Sequence, residues 1–88
     1  MEIKGKVREV CEVENFSTKK GPQSKQGFVV ETTGQYPKTV YMVLYGSDKI
    51  GNAGLGVGDT VTVQADAESR RHNERWYTEI KAWKIKKD

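Results

Sequence analysis

Apolar residues in this chain recur at every second position, and the three-to-four-residue spacing of an amphipathic helix is almost absent. Residues 40–45 (VYMVLY) alternate between two faces, and Val61, Val63, Ala65 and Ala67 repeat in phase. A period of two is that of a β-strand, whose successive side chains point to opposite sides of a sheet. The chain is therefore predicted to be all-β.

Five strands are predicted, and each boundary falls at a polar or glycine-containing segment. They cover Glu2–Val13, Gln26–Thr33, Thr39–Gly46, Thr60–Glu68 and Trp76–Ile85. The connections are a flexible polar loop over 15–25, a hairpin turn over 34–38, a short helix over 48–52 with a glycine turn over 54–59, and a basic loop over 69–75. Residues 86–88 are expected to fray.

The first strand has an irregular pattern. Ile3, Gly5 and Val7 share one face, but Val10 breaks the alternation. An internal glycine and a slip in parity are typical of a bend or a β-bulge. We therefore expect one bent strand that serves two sheets.

The order of elements is three strands, a short helix, then two strands. This order predicts the five-stranded Greek-key barrel of the OB-fold, with the helical connector between strands three and four. An SH3-like barrel would place its helical turn before the last strand, where this chain has the segment 69–75 instead. With 88 residues, the chain is predicted to form a single OB-fold domain, 1–88.

Several classes of protein are disfavoured by the sequence. One cysteine provides no internal disulfide, and no apolar run approaches the roughly 20 residues of a membrane span. We therefore expect a cytoplasmic protein with no membrane partner. Cys11 is interpreted as a small buried hydrophobe and His72 as a loop residue that contacts phosphate or is simply solvated, and no paired metal ligands occur. We predict no catalytic residues, no metal, no cofactor and no enzyme activity.

Positive charge is concentrated in two segments. Residues 69–87 carry seven Lys/Arg against two Glu, although the whole chain has a net charge of only +3, and residues 15–38 carry four Lys against one Glu. On an OB barrel, the connections between strands one and two and between strands four and five flank the binding groove. The cations predicted to contact phosphates there are Lys19, Lys20, Lys25, Arg70, Arg71 and Arg75.

Aromatic residues accompany these cations. Tyr41 and Tyr45 are predicted to point outward from strand three. In strand five, Ile80 and Ala82 indicate that even-numbered residues face the core, although Ile85 contradicts that parity. The same parity places Trp76 inward and leaves Tyr77, Lys81 and Trp83 outward, and Glu79 is expected to pair with Lys81. The predicted base-stacking residues are Tyr41, Tyr45, Tyr77 and Trp83.

Four segments carry a resemblance to a known family: Met1–Val7, Gly34–Lys38, Val57–Val61 and Arg75–Trp83. The chain resembles a family of short bacterial proteins known only as a domain of unknown function with an OB-type fold. It is more distantly similar to bacterial single-stranded DNA-binding proteins and primosomal OB proteins, on the Val-Gly-Asp motif at 57–59 and the Arg-aromatic-Thr-x-Glu-Ile strand. That likeness implies binding of single-stranded nucleic acid through the barrel, as a homo-oligomer.

Two functions follow from these observations. The first is binding of single-stranded nucleic acid, DNA in preference to RNA, with little sequence specificity because stacking tolerates every base. The second is a protein-interaction barrel, in which outward Val29, Tyr41, Val43 and Tyr45 pack against a second copy to form a dimer or tetramer, or against another partner.

Overall fold

The structure is a computed structural model that describes residues 1–88. Its strands are β1 (Glu2–Thr18), β2 (Gly21–Thr32), β3 (Thr39–Tyr45), β4 (Thr60–His72) and β5 (Arg75–Lys87), and one helix, α1 (Ser47–Ala53), joins β3 to β4. The predicted order of elements and the position of the helix are confirmed.

The five strands close into a barrel in the order β1-β2-β3-β5-β4. All neighbouring strands are antiparallel except β3 and β5, which run parallel where Val43 and Leu44 face Lys81 and Ala82. This is the Greek-key arrangement of the OB-fold, as the sequence predicted.

Strand β1 bends and belongs to both sides of the barrel. Its first residues pair with β4 and the rest pair with β2, with register shifts between Val7 and Glu9 and between Val10 and Val13. Gly5 lies at the crossing, opposite both Val61 and Thr32. The predicted bend is therefore confirmed, and the parity slip at Val10 marks a bulge.

The core is a single apolar cluster inside the barrel. Its ten buried residues are Ile3, Val7, Phe28, Val30, Met42, Leu44, Val61, Val63, Ala65 and Ala82. Ile50 and Ala53 of α1 pack against this cluster, so the helix covers one open end. No side chain caps the start of α1, and Gly54 ends the helix in the left-handed conformation, with φ 50°.

The two segments predicted as loops are strands. Residues 14–25 form the β1–β2 arm and residues 68–79 form the β4–β5 arm, each a paired hairpin that continues past the core. Alternation ends there because water covers both faces of each arm: Val13 is 44% exposed, and Ala67 is exposed although the pattern predicted it to be inward. Polar residues then outnumber apolar ones in both arms, while the backbone pairing persists.

Each arm ends in a tight turn. In the β4–β5 arm, Asn73 and Glu74 have φ of 50° and 64°, the left-handed pair of a two-residue type I′ turn. In the β1–β2 arm, Lys19 and Lys20 form the turn, and the backbone N–H of Lys20 donates to Thr18 Oγ1 at 3.2 Å.

A bulge in β5 explains its contradictory parity. Lys84 faces Gln64 and Ala82 faces Ala65, so Trp83 has no partner on β4. The extra residue reverses the alternation, which lets Ala82 and Ile85 both contact the core.

The C-terminal residues are paired, which differs from the expected fraying. Lys86 and Lys87 lie opposite Thr62 and Val61, and the backbone N–H of Asp88 donates to Thr60 O at 2.9 Å. Backbone pairing with β4 holds this segment despite its polar composition.

No helix in the structure has the length and apolar character needed to cross a membrane.

Candidate functional site

A groove of about 550 Å³ lies on the outer face of the barrel, between the two arms. Strands β2 and β3 supply Gly27, Tyr41 and Val43, and the groove also takes residues from both arms. Five of the ten predicted site residues line it: Lys25, Tyr41, Tyr45, Arg70 and Tyr77.

Tyr41 lies across Gly27. A Cβ atom added at Gly27 would stand 2.2 Å from the Tyr41 hydroxyl and 2.8 Å from the adjacent ring carbon. The missing side chain therefore creates the space in which the ring rests on the sheet. Tyr41 remains 57% exposed, so its ring is accessible to a ligand.

Tyr45 is held by several contacts and is only partly exposed. Its hydroxyl donates to Glu79 Oε1 at 2.7 Å, and the ring meets Phe16 edge-on with centroids 6.3 Å apart. Lys81 Nζ lies 5.4 Å from the ring centroid. Burial, followed by the hydrogen bond to Glu79, raises the pKa of Tyr45 to about 12. Tyr45 is thus a fixed part of the groove wall.

Charges in the groove are balanced. Lys25 Nζ lies 3.6 Å from Glu14, and Lys81 Nζ lies 2.8 Å from Glu68, which is also 3.9 Å from Arg70. The hydrogen bond from Lys81 lowers the pKa of Glu68. Lys81 pairs with Glu68 and not with Glu79, contrary to the sequence-based expectation. The positive potential expected in the groove is therefore offset by carboxylates that line it.

The β4–β5 arm presents two different faces. Residues directly opposite each other in an antiparallel pair share a face, so Arg70 and Tyr77 point toward the groove while Arg71 and Trp76 lie on the reverse side. Tyr77 is 53% exposed. Trp76 was predicted to face the core, but it is 69% exposed. Trp76 lies on the same face of β5 as buried Ala82, but the core ends before Trp76.

The other predicted residues lie outside the groove. Lys19 and Lys20 occupy the tip of the β1–β2 arm, and Arg75 lies beside the tip of the β4–β5 arm. Trp83 lies against α1 in a separate depression that includes Asn52 and Ala53. The structure therefore separates Trp83 from the other predicted stacking residues.

The apolar patch predicted as a docking surface is largely absent. Val43 is only 6% exposed and Val29 is half-buried. Cys11, expected to be buried, is also half-buried. No group of three or more His, Cys, Asp or Glu side chains is arranged to hold a metal ion.

Sequence reasoning missed several residues of the groove. These are Glu14, Gly27, Glu68, Glu79 and Lys81 as parts of one site. The charged members of this set alternate with other residues as they would in any solvent-exposed strand, so the sequence does not mark them as part of a site. Gly27, which lies between Gln26 and Phe28 inside a predicted strand, was the one available signal, because an internal strand glycine marks close approach of another group.

Comparisons with known proteins agree with this fold. The model of the family described as "Domain of unknown function (DUF3127)" matches residues 2–86, which confirms the family resemblance inferred from the sequence. No curated protein matches the chain by sequence.

The solved structures that are similar to this one include two single-stranded DNA-binding proteins. The mitochondrial single-stranded DNA-binding protein Rim1 from S. cerevisiae is 13% identical with a TM-score of 0.74, covering 99% of this chain and 91% of that chain. A small single-stranded DNA-binding protein from Streptomyces coelicolor is 19% identical with a TM-score of 0.56, covering 100% of this chain and 92% of that chain. At these identities, the likeness establishes the OB-fold.

Proposed function

This chain belongs to the family described as domain of unknown function DUF3127, and we propose that it binds single-stranded nucleic acid in the groove of its barrel. The observation that carries the proposal is the presence of two accessible rings, Tyr41 and Tyr77, in one groove between arms whose tips bear cations. Exposed rings and nearby cations are what single-strand binding requires. Both structural neighbours are named as single-stranded DNA-binding proteins.

Bases and phosphates would contact different parts of this surface. Tyr41 and Tyr77 would stack on bases, each worth roughly 1–3 kcal/mol. Phosphates would follow the arm tips, where Lys19, Lys20 and Arg75 have no carboxylate within 4.0 Å. We propose DNA in preference to RNA as the ligand.

A titration with labelled oligonucleotides tests the proposal. Fluorescence anisotropy of labelled oligo-dT should rise with protein at micromolar concentration, and the affinity should fall when salt is raised. Unlabelled single strand should compete better than duplex. Tyr41→Ala/Tyr77→Ala should abolish the signal, while Tyr36→Ala, at an exposed turn outside the groove, should preserve it. No salt-dependent binding by the unmodified protein would refute the proposal.

Self-association is a second candidate, and one observation favours it. The reverse face of the β4–β5 arm lies on the same side of β5 as the core. Ile80 on that side packs against the core, and Trp76 further along it is 69% exposed. A homo-oligomer would cover this face with a second copy, whereas the sequence predicted self-association through a different surface, that of Val29, Tyr41, Val43 and Tyr45.

Sedimentation analysis tests this second function. Trp76→Ala should reduce the mass to that of a monomer, whereas Trp83→Ala, at the other tryptophan, which is 50% exposed, should leave the assembly intact. A monomeric unmodified protein at high concentration would exclude the homo-oligomer.

A further inference from the structure

Glu79 differs from the other carboxylates of the groove because it has no cationic partner. Glu14 and Glu68 each lie within 4.0 Å of a lysine. Glu79 has no Lys or Arg nitrogen within that distance, and its one side-chain hydrogen bond is received from Tyr45 at 2.7 Å. A carboxylate without a cation repels phosphate, so the backbone of a strand would avoid this point and a base would face it.

The position of Glu79 suits the edge of a stacked base. It lies two residues from Tyr77 in β5, so both side chains project from the same side of the strand and line the same groove. A base stacked on Tyr77 would present its edge toward the Glu79 carboxylate. That group only accepts hydrogen bonds, so it favours edges rich in N–H groups.

The bases of DNA and RNA differ in the hydrogen-bond donors that they offer to a carboxylate. Guanine presents two adjacent donors, N1–H and the N2 amino group, which match the two oxygens of a carboxylate. Cytosine and adenine place an acceptor nitrogen beside their amino group. Thymine and uracil flank a single N–H with two carbonyl oxygens that a carboxylate repels.

We propose that Glu79 gives the groove a preference for guanine, read by paired hydrogen bonds from N1–H and N2–H to the carboxylate. The inference rests on the proposed function, since it assigns specificity to the same groove. Tyr45 is a positioning residue: its hydroxyl occupies one of about four lone-pair sites of the carboxylate and leaves the others for the base.

Inosine provides a matched probe because it keeps the N1–H of guanine and lacks only the N2 amino group. We would compare oligo-dT with oligo-dT carrying spaced guanines, and with the same oligonucleotide carrying inosines. The unmodified protein should bind the guanine strand about five- to tenfold more tightly than the inosine strand, the lower end of the range expected for a bidentate contact, because inosine keeps one of the two hydrogen bonds. Glu79→Gln should bring that ratio close to one, while its amide oxygen still accepts from Tyr45 and preserves the fold.

Glu14→Gln is the control, because it removes a groove carboxylate that already has a lysine partner. It should change overall affinity and leave the guanine-to-inosine ratio unchanged. Tyr45→Phe should lower the ratio without removing it. Tight binding of all three strands with equal affinity would overturn the role of Glu79 and leave the proposed function standing. If the protein bound none of the three strands, both the role of Glu79 and the proposed function would be overturned.

Discussion

Tyr41 has its position in the groove because Gly27 has no side chain. The ring covers the space that a Cβ atom would occupy, at 2.2 Å from the hydroxyl. An aromatic ring laid over a strand glycine protects the exposed backbone and stiffens the sheet locally. If the ring stacks on a base, Gly27 is as necessary to binding as Tyr41 itself.

We predict that Gly27→Ala displaces the Tyr41 ring and weakens binding of oligo-dT about fivefold, with little loss of stability, because the clashing atoms are the far end of an exposed side chain. Anisotropy titration and thermal denaturation measure the two effects. In the Tyr41→Ala background, Gly27→Ala should have no further effect on affinity. Additive losses would show that Gly27 acts independently of Tyr41.

Tyr45 gives the protein a specific sensitivity to alkaline pH. Its pKa is raised from 10.0 to about 12, so the folded state favours the protonated hydroxyl. This contribution to stability is complete below about pH 10 and is lost as pH rises through about 12. Chemical denaturation at increasing pH should show that the free energy of unfolding declines over this window, and the decline should be shallower in Tyr45→Phe. Tyr36→Phe, at an exposed tyrosine, should match the unmodified protein; equal slopes for all three would contradict the prediction.

At the scale of elements, the turn of the β4–β5 arm contains avoidable strain. Glu74 has φ 64°, a left-handed conformation that costs a residue with a Cβ atom and is natural for glycine. Glu74→Gly should stabilise the arm by about 0.5–1 kcal/mol, after allowing for the greater freedom of glycine in the unfolded chain. Amide hydrogen exchange in residues 68–79 measures this directly, because an arm can open without global unfolding.

Glu74→Gln is the control for charge in that experiment. It removes the carboxylate but keeps a Cβ atom in the left-handed conformation, so exchange should match the unmodified protein. Equal protection from the Gly and Gln variants would indicate that charge, and not backbone conformation, governs the turn.

The arms also show where sequence patterns stop being informative. Alternation identified all five strands and the bend in β1, because burial of one face dictates which residues it carries. Beyond Val13 and Ala67 both faces meet water, so paired strands have the composition of loops. Trp76 followed the predicted parity and still lies outside the core, because parity specifies a face and not where the core ends.

The composition of the site was harder to predict than its location. Charge counts and aromatic positions predicted a site beside the connections that form the two arms, but the balancing carboxylates of the candidate groove come from residues indistinguishable in sequence from solvated strand positions. The bulge at Trp83 moved that ring to the side of α1. A bulge of one residue has no signal in the apolar pattern beyond the single misfit at Ile85.

At the scale of the whole molecule, closure of the barrel depends on Gly5. A Cβ atom there would stand 2.1 Å from the carbonyl oxygen of Glu31, a backbone atom that cannot rotate away. Gly5→Ala should therefore destabilise the protein by about 3 kcal/mol or more. Gly51→Ala, in the exposed interior of α1 with open space around it, should instead stabilise by about 0.5–1 kcal/mol. Thermal denaturation compares the two variants. Equal melting temperatures for Gly5→Ala and Gly51→Ala would show that the strands can separate at Gly5 without a cost in stability.

The distribution of charge over the molecule predicts which cations set the salt dependence of binding. Lys19 and Lys20 form the tip of the β1–β2 arm, while Lys4 and Lys86 lie on another face, around a depression that also contains carboxylates. If phosphates follow the arms, Lys19→Gln/Lys20→Gln should reduce the slope of log K against log salt by about 1.4, at about 0.7 for each single-strand contact. Lys4→Gln/Lys86→Gln removes the same charge and should leave the slope nearly unchanged. Titrations of oligo-dT across a salt series measure both slopes, and equal reductions would mean that net charge, and not the arm, attracts the strand.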